Sequence, residues 1–229
     1  MKNSFYFLHI QKTGGRNFRY NFLDPIKPDL LESGISWLNN EKNGHGHNQW
    51  VSEIDDLTYI TSSFRDPCKQ TVSLYVHQEL FKLNNYINKE GFLEWFKHEN
   101  GEVGFISNFQ SKNIVSPTVH FKKNNTTFYN KNITKNEVLI NINKMSLFIK
   151  PDILIEKNQN TIQNTILSGL NIKKQKINNP AWIQSPWGHE NYQSKEIYNS
   201  LTEKEKEYIK TLNHIDSEIY ETDSLFYKI

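Results

Sequence analysis

The sequence predicts an α/β protein with a central parallel sheet flanked by helices. Three observations carry that expectation. Phe5 to Ile10 is a nearly unbroken apolar and aromatic run, as expected of a strand covered on both faces. Thr13-Gly14-Gly15 turns the chain immediately afterwards, and Phe18 and Phe22 then fall four residues apart, which is helical spacing. Tyr59 to Phe64 repeats the pattern, a second strand followed by a helical stretch. Alternating strands and helices favour a parallel sheet, with ligands at the carboxyl edge of its strands.

The elements follow in chain order. The first helix begins near Arg16 and ends before Pro25, because the residue before a proline leaves the helical region. The helix after the second strand runs from Lys69 to Leu83 with Val72, Val76, Leu80 and Leu83 on one side, and places Ser73 and His77 one turn apart on one face. Thr134-x-x-Glu137 has the form of a capping box and opens a helix to about Met145. Leu147 to Ile149 and Ile153 to Ile155 read as strand around Pro151, followed by a helix stopped by Gly169. Thr202-x-x-Glu205 opens a final amphipathic helix through Leu212, Ile215 and Ile219. Residues 111–133 and 173–195 lack periodicity and read as loops or short irregular pieces. There is no internal repeat.

Composition narrows the class. The chain has 229 residues, which suggests one domain, 1–229, large enough for a substantial core. Lys and Arg number 27 against 25 Asp and Glu, so bulk charge favours neither nucleic acid nor an anionic membrane. One cysteine, Cys68, excludes an intrachain disulfide and a cysteine-based metal cluster, and reads as a small buried side chain. No apolar run approaches a spanning helix, and no signal peptide or anchor is visible, so the expectation is a soluble, cytoplasmic protein.

The chemistry sits in two short stretches. In Gln11-Lys12-Thr13-Gly14-Gly15-Arg16 the glycines let backbone N–H groups face a phosphate, and Lys12 supplies a full positive charge. A phosphate loop of the G-x-x-x-x-G-K-[ST] type places its lysine after the glycines and a hydroxyl on magnesium. Here the lysine comes first and the loop is shorter, which disfavours a metal–triphosphate site. The second stretch, Phe64-Arg65-Asp66-Pro67, delivers an arginine to the same sheet edge. Of the 27 basic residues only three are arginine, namely Arg16, Arg19 and Arg65, and all lie in or beside the two anion stretches. The planar guanidinium suits bidentate phosphate recognition better than an ammonium does.

These residues resemble a known family. His9-Ile10-Gln11-Lys12-Thr13-Gly14-Gly15 is similar to the 5′-phosphosulfate loop of sulfotransferases that use 3′-phosphoadenosine-5′-phosphosulfate (PAPS). Arg65-Asp66-Pro67 with Ser73 and Tyr75 is similar to their 3′-phosphate motif. By motif the chain looks most like carbohydrate sulfotransferases of the heparan sulfate 2-O type, and Asn108-Phe109-Gln110 resembles an Asn-x-Gln stretch of that family. The resemblance implies a three-layer, P-loop-like fold and a donor site formed by Lys12, Thr13, Gly14, Gly15, Arg16, Asn17, Arg65 and Ser73. It departs at Arg16, where the family often has a hydroxyl, and at Gln70, where it commonly has a basic residue.

Sulfuryl transfer to a hydroxyl also needs a base. Gly44-His45-Gly46-His47 resembles the His-Gly-His of the 2-O type, which implies His47 as the base. His45 reads as supporting or idle, and Tyr75 and His77 as residues that shape the pocket. Lys12 then stabilises charge on the bridging oxygen, and no metal is required. Trp182, Trp187 and His189 read either as a sugar-stacking wall or as ordinary packing. The implied partner is an acceptor with a free hydroxyl, a glycan or glycolipid, with no nucleic acid and no transmembrane segment. Two other classes stay open: a P-loop kinase or NTPase-like nucleotide-binding protein, and a non-catalytic nucleotide-binding scaffold.

Overall fold

The computed structural model describes residues 2–38, 54–81, 87–101, 107–115, 132–173, 182–183 and 188–227. In chain order they form β1 (Ser4–Leu8), α1 (Gly15–Phe18), α2 (Lys27–Glu32), β2 (Ser36–Trp37), β3 (Thr58–Ser63) and α3 (Pro67–Phe81). Next come α4 (Lys89–Gly101), α5 (Phe109–Val115), α6 (Lys135–Ile142) and β4 (Leu147–Ile149). The chain closes with α7 (Gln159–Gly169), α8 (Gly188–Ser200), α9 (Glu203–Leu212) and α10 (His214–Glu221). It is an α/β protein. No helix among the described residues is long and apolar enough to cross a membrane.

The four strands form one parallel sheet in the order β2-β1-β3-β4. β1 and β3 pair along their whole length, Phe5 opposite Tyr59 and Leu8 opposite Ser62, so both strands end at the same level. All eleven residues of these two central strands are buried. Their side chains alternate between two cores, as the strand period of two demands. Tyr6, Leu8, Ile60 and Phe148 point into a cluster with residues of α3, α4, α5, α6, α8, α9 and α10. Phe5, Phe7, Tyr59, Leu147 and Ile149 point into a second cluster with residues of α1, α2 and α7. Helices therefore cover both faces, which explains the continuous hydrophobicity of β1.

The sequence order puts β2 on one side of β1 and β3 on the other. The chain thus reverses its winding between β1 and β3. In open parallel sheets that reversal leaves a crevice beyond the carboxyl ends of the two strands, where ligands bind.

Several expectations are corrected. The first helix does not stop before Pro25. It passes from α1 into a π-helical stretch, Arg19–Leu23, and then into a 3-10 turn, Asp24–Ile26, with Pro25 in its first turn, where no N–H is needed. Ile153 to Ile155 is no strand: Pro151–Ile153 is a 3-10 turn and Ile155 is exposed. Gly169 does not stop α7, which includes it; the left-handed residue past the helix is Asn171, with φ 58°. The final helix is two, broken at Asn213, whose side chain donates to the Ile209 carbonyl. α5 and α8 occupy stretches read in part as loops, because their sequences carry no apolar stripe of helical period.

Other expectations hold. α3 begins two residues earlier than expected, at Pro67, and Leu83 lies outside the described residues. Both capping boxes form: Thr134 accepts from the Glu137 amide and Thr202 from the Glu205 amide, with each glutamate reaching back to the cap.

Candidate functional site

The two anion stretches meet at the crevice between β1 and β3. After β1 the chain turns through Lys12, with φ 63°, and Gly14, with φ 83°, before α1 starts. Both glycines have a local reason. Gly14 needs its left-handed backbone, and a Cβ there would also stand 3.1 Å from the Pro151 side chain. At Gly15 a Cβ would fall 2.0 Å from the His9 ring, which is buried and stacks on Phe7. The loop is therefore wrapped tightly against its own strand.

Side chains fasten this loop from below. The buried Thr13 hydroxyl donates to the Ile10 carbonyl at 2.9 Å and shares a 3.1 Å hydrogen bond with Ser63 Oγ at the end of β3. Gln70 Nε2, on α3, donates to the Gln11 carbonyl at 3.2 Å. Asn17 Nδ2 donates to the Leu154 carbonyl at 2.9 Å, and its Oδ1 accepts from Asn21. The hydroxyl of Thr13 and the amide of Asn17 are thus engaged in holding the loop in shape.

The Arg-Asp-Pro stretch starts α3. Asp66 Oδ1 accepts from the Lys69 amide at 2.9 Å, capping the helix, and Pro67 occupies the first helical position. Arg65 lies between β3 and that cap. Its Nη1 donates to the Lys12 carbonyl at 3.3 Å, which fixes the guanidinium over the glycine loop. Among the described residues Arg65 forms no ion pair, although Asp66 and Asp152 lie near enough to stabilise its charge. A half-buried guanidinium held by one carbonyl retains donors for an anion.

The electrostatics agree. Lys12 is depressed from 10.5 to about 7, first by burial, then by the positive charges of Arg16 and Arg65. Burial also lowers Arg65. Arg16 therefore lies close enough for its charge to act on Lys12. The positive charges of Lys12, Arg16 and Arg65 act on one another across this crevice, which favours an anion there.

The other expected site residues are placed less directly. Ser73 is buried on α3, six residues past Pro67, with no hydrogen bond to Lys12 or Arg65. Tyr75 is buried among Phe92 and Trp95, which makes it a core residue. Cys68 is buried and burial pushes its thiol up to about 12, which leaves it unreactive. Trp182 packs edge-on against Phe22, so it belongs to the core. His45, His47 and Trp187 lie outside the described residues, and His189 is described only as backbone at the start of α8.

Three further residues bear on the site. Gln70 ties α3 to the glycine loop, Asp152 faces Arg65 from the turn after β4, and Gln110 holds the backbone of Arg65. Gln70 stood out in the sequence as a departure from the family pattern, and Gln110 through the Asn108-Phe109-Gln110 stretch. No protein-family model, curated protein or solved structure matches this chain.

Proposed function

We propose that the chain is a sulfotransferase that moves a sulfuryl group from PAPS to a hydroxyl of a carbohydrate acceptor. The observation that carries the reading is the 3.3 Å contact between Arg65 Nη1 and the Lys12 carbonyl. It ties the Arg65 guanidinium, just past β3, to the backbone of the loop after β1 that carries Lys12, at the point where the sheet reverses its winding. PAPS has anionic groups at both ends of its adenosine, and a paired cradle of this kind suits such a molecule better than a monophosphate. The strand order and the glycine loop directly after β1 also support the three-layer, P-loop-like arrangement of that family.

In this reading Lys12, Arg16 and the amides of residues 13–15 hold the 5′-phosphosulfate, and Arg65 with Ser73 holds the 3′-phosphate. Asn17 serves through its backbone alone, given the engagement of its side chain. His47 takes the proton of the acceptor hydroxyl as its oxygen bonds to sulfur, and the sulfur–phosphate oxygen bond breaks. The leaving adenosine 3′,5′-bisphosphate carries away the electron pair, and Lys12 offsets the charge growing on its bridging oxygen.

The test is transfer of radiolabelled sulfate from PAPS to a panel of glycans and small alcohols. Labelled product from wild type, absent with Lys12→Met, is the expected result. Magnesium-dependent ATP turnover with no sulfate transfer would replace this reading with a kinase-like one.

A further inference from the structure

We propose that Gln110 is a positioning residue for Arg65: it fixes the guanidinium over the glycine loop and so sets the preference for a nucleotide carrying a second phosphate. The proposal rests on the donor-site reading above and adds the device that makes it selective.

The ladder of β3 ends at Ser63, and the next amide, Phe64 N, still reaches the Ile149 carbonyl at 2.9 Å. Arg65 is the first residue beyond strand pairing, so its backbone needs other partners. Gln110 supplies both. Its Oε1 accepts from Arg65 N at 2.8 Å and its Nε2 donates to the Arg65 carbonyl at 2.8 Å. A single side-chain amide thus extends the sheet by one residue. Gln110 is fully buried, and the two bonds determine which end of its amide is oxygen.

The clamp is itself anchored. The carboxylate of Asp216, on α10, accepts from Gln110 N at 3.0 Å and Ser111 N at 2.8 Å, capping α5. Asn108, with φ 50°, accepts at Oδ1 from the amides of Ile215 and Asp216 and donates its own amide to Asn213 Oδ1. This closed set of buried bonds joins α5 to α10 and passes that rigidity to Arg65. The Arg65 side chain starts from a fixed Cα, so its donors are aimed before a ligand arrives.

A residue acting this way has a distinguishable signature. Arg65 serves only the second phosphate, so losing the clamp weakens a bisphosphate and spares a monophosphate. General damage to the fold weakens both.

The experiment compares adenosine 3′,5′-bisphosphate with adenosine 5′-phosphate by calorimetry, using wild type, Gln110→Met and Gln110→Glu. Met keeps the length without hydrogen bonds, and Glu keeps the acceptor for Arg65 N but loses the donor. The expected result is a fall of about tenfold in the bisphosphate preference for both variants, with monophosphate affinity unchanged. Equal weakening of both ligands, or an unchanged preference, overturns the proposal. A wild type with no bisphosphate preference instead overturns the donor-site reading beneath it. Should the variants fail to fold, amide hydrogen exchange on wild type decides. The bisphosphate must slow exchange at Arg65, Gln110 and Ser111 more than the monophosphate does, and equal protection by the two rejects the role of Gln110.

Discussion

Replacing Lys12 by Met should make the free protein more stable while removing its ligand affinity. Lys12 sits in a half-buried loop beside Arg16 and Arg65, and its ammonium is depressed from 10.5 to about 7. That difference corresponds to about 4 kcal/mol of unfavourable free energy at neutral pH, and solvent screening around the loop reduces the observable part to roughly 1–3 kcal/mol. The sign follows from linkage. Below pH 7 both folded and unfolded chains hold the proton, so the full cost of the charge is present. Between pH 7 and 10.5 the folded protein releases the proton first, and wild type recovers stability as pH rises. Thermal unfolding of both proteins from pH 6 to 10 is the assay. Lys12→Met should melt about 3–8 °C higher at pH 6, with the gap closing toward pH 10. A variant that is less stable at pH 6, or a gap independent of pH, would show that the three cations do not crowd one another, and the crevice argument would fall.

Arg65→Lys should keep a charge yet lose the planar fork, lowering affinity for a nucleotide bisphosphate by about tenfold in calorimetry while leaving the melting temperature within a few degrees. Gly15→Ala drives a Cβ into the His9 ring, so urea unfolding should report a loss of about 2–4 kcal/mol, with part recovered in the Gly15→Ala/His9→Ala double variant. Asp216, whose carboxyl is raised from 3.8 to about 6 chiefly by burial, gains stability as pH falls from 6 toward 3.8, because the folded protein takes up the proton first. Asp216→Asn should flatten that part of the stability profile; an unchanged slope would assign it to another group. His47→Ala should abolish sulfate transfer without changing bisphosphate affinity, and loss of both together would remove His47 from the role of base.

Much of this architecture could be read from local pattern. The aromatic run of β1 and the Thr58–Ser63 strand announce themselves because both faces are buried, and the capping boxes at Thr134 and Thr202 satisfy their helix termini through neighbours three residues away. What escaped depends on distant partners. β2 is two residues long and exists because Ser36 and Trp37 find the edge of β1. α5 has no periodic stripe, since Gln110 and Asn113 are buried with their side chains hydrogen-bonded to backbone and not in apolar packing. Ser73 illustrates a limit of another kind: its spacing from Arg65 is legible, but its burial is not, because α3 packs against α8, α9 and α10, which come much later in the chain. The closeness of Lys12 and Arg65, by contrast, was legible, because each lies in the stretch after a strand of the same parallel sheet.

The central claim, that the Lys12 loop and Arg65 grip opposite ends of one adenosine donor, is most directly tested by calorimetric competition on the wild-type protein. Adenosine 3′,5′-bisphosphate should bind at one site per chain and be displaced by PAPS, with ATP and magnesium competing poorly. Binding of ATP with magnesium in preference to the bisphosphate, or no binding of the bisphosphate at all, would contradict it.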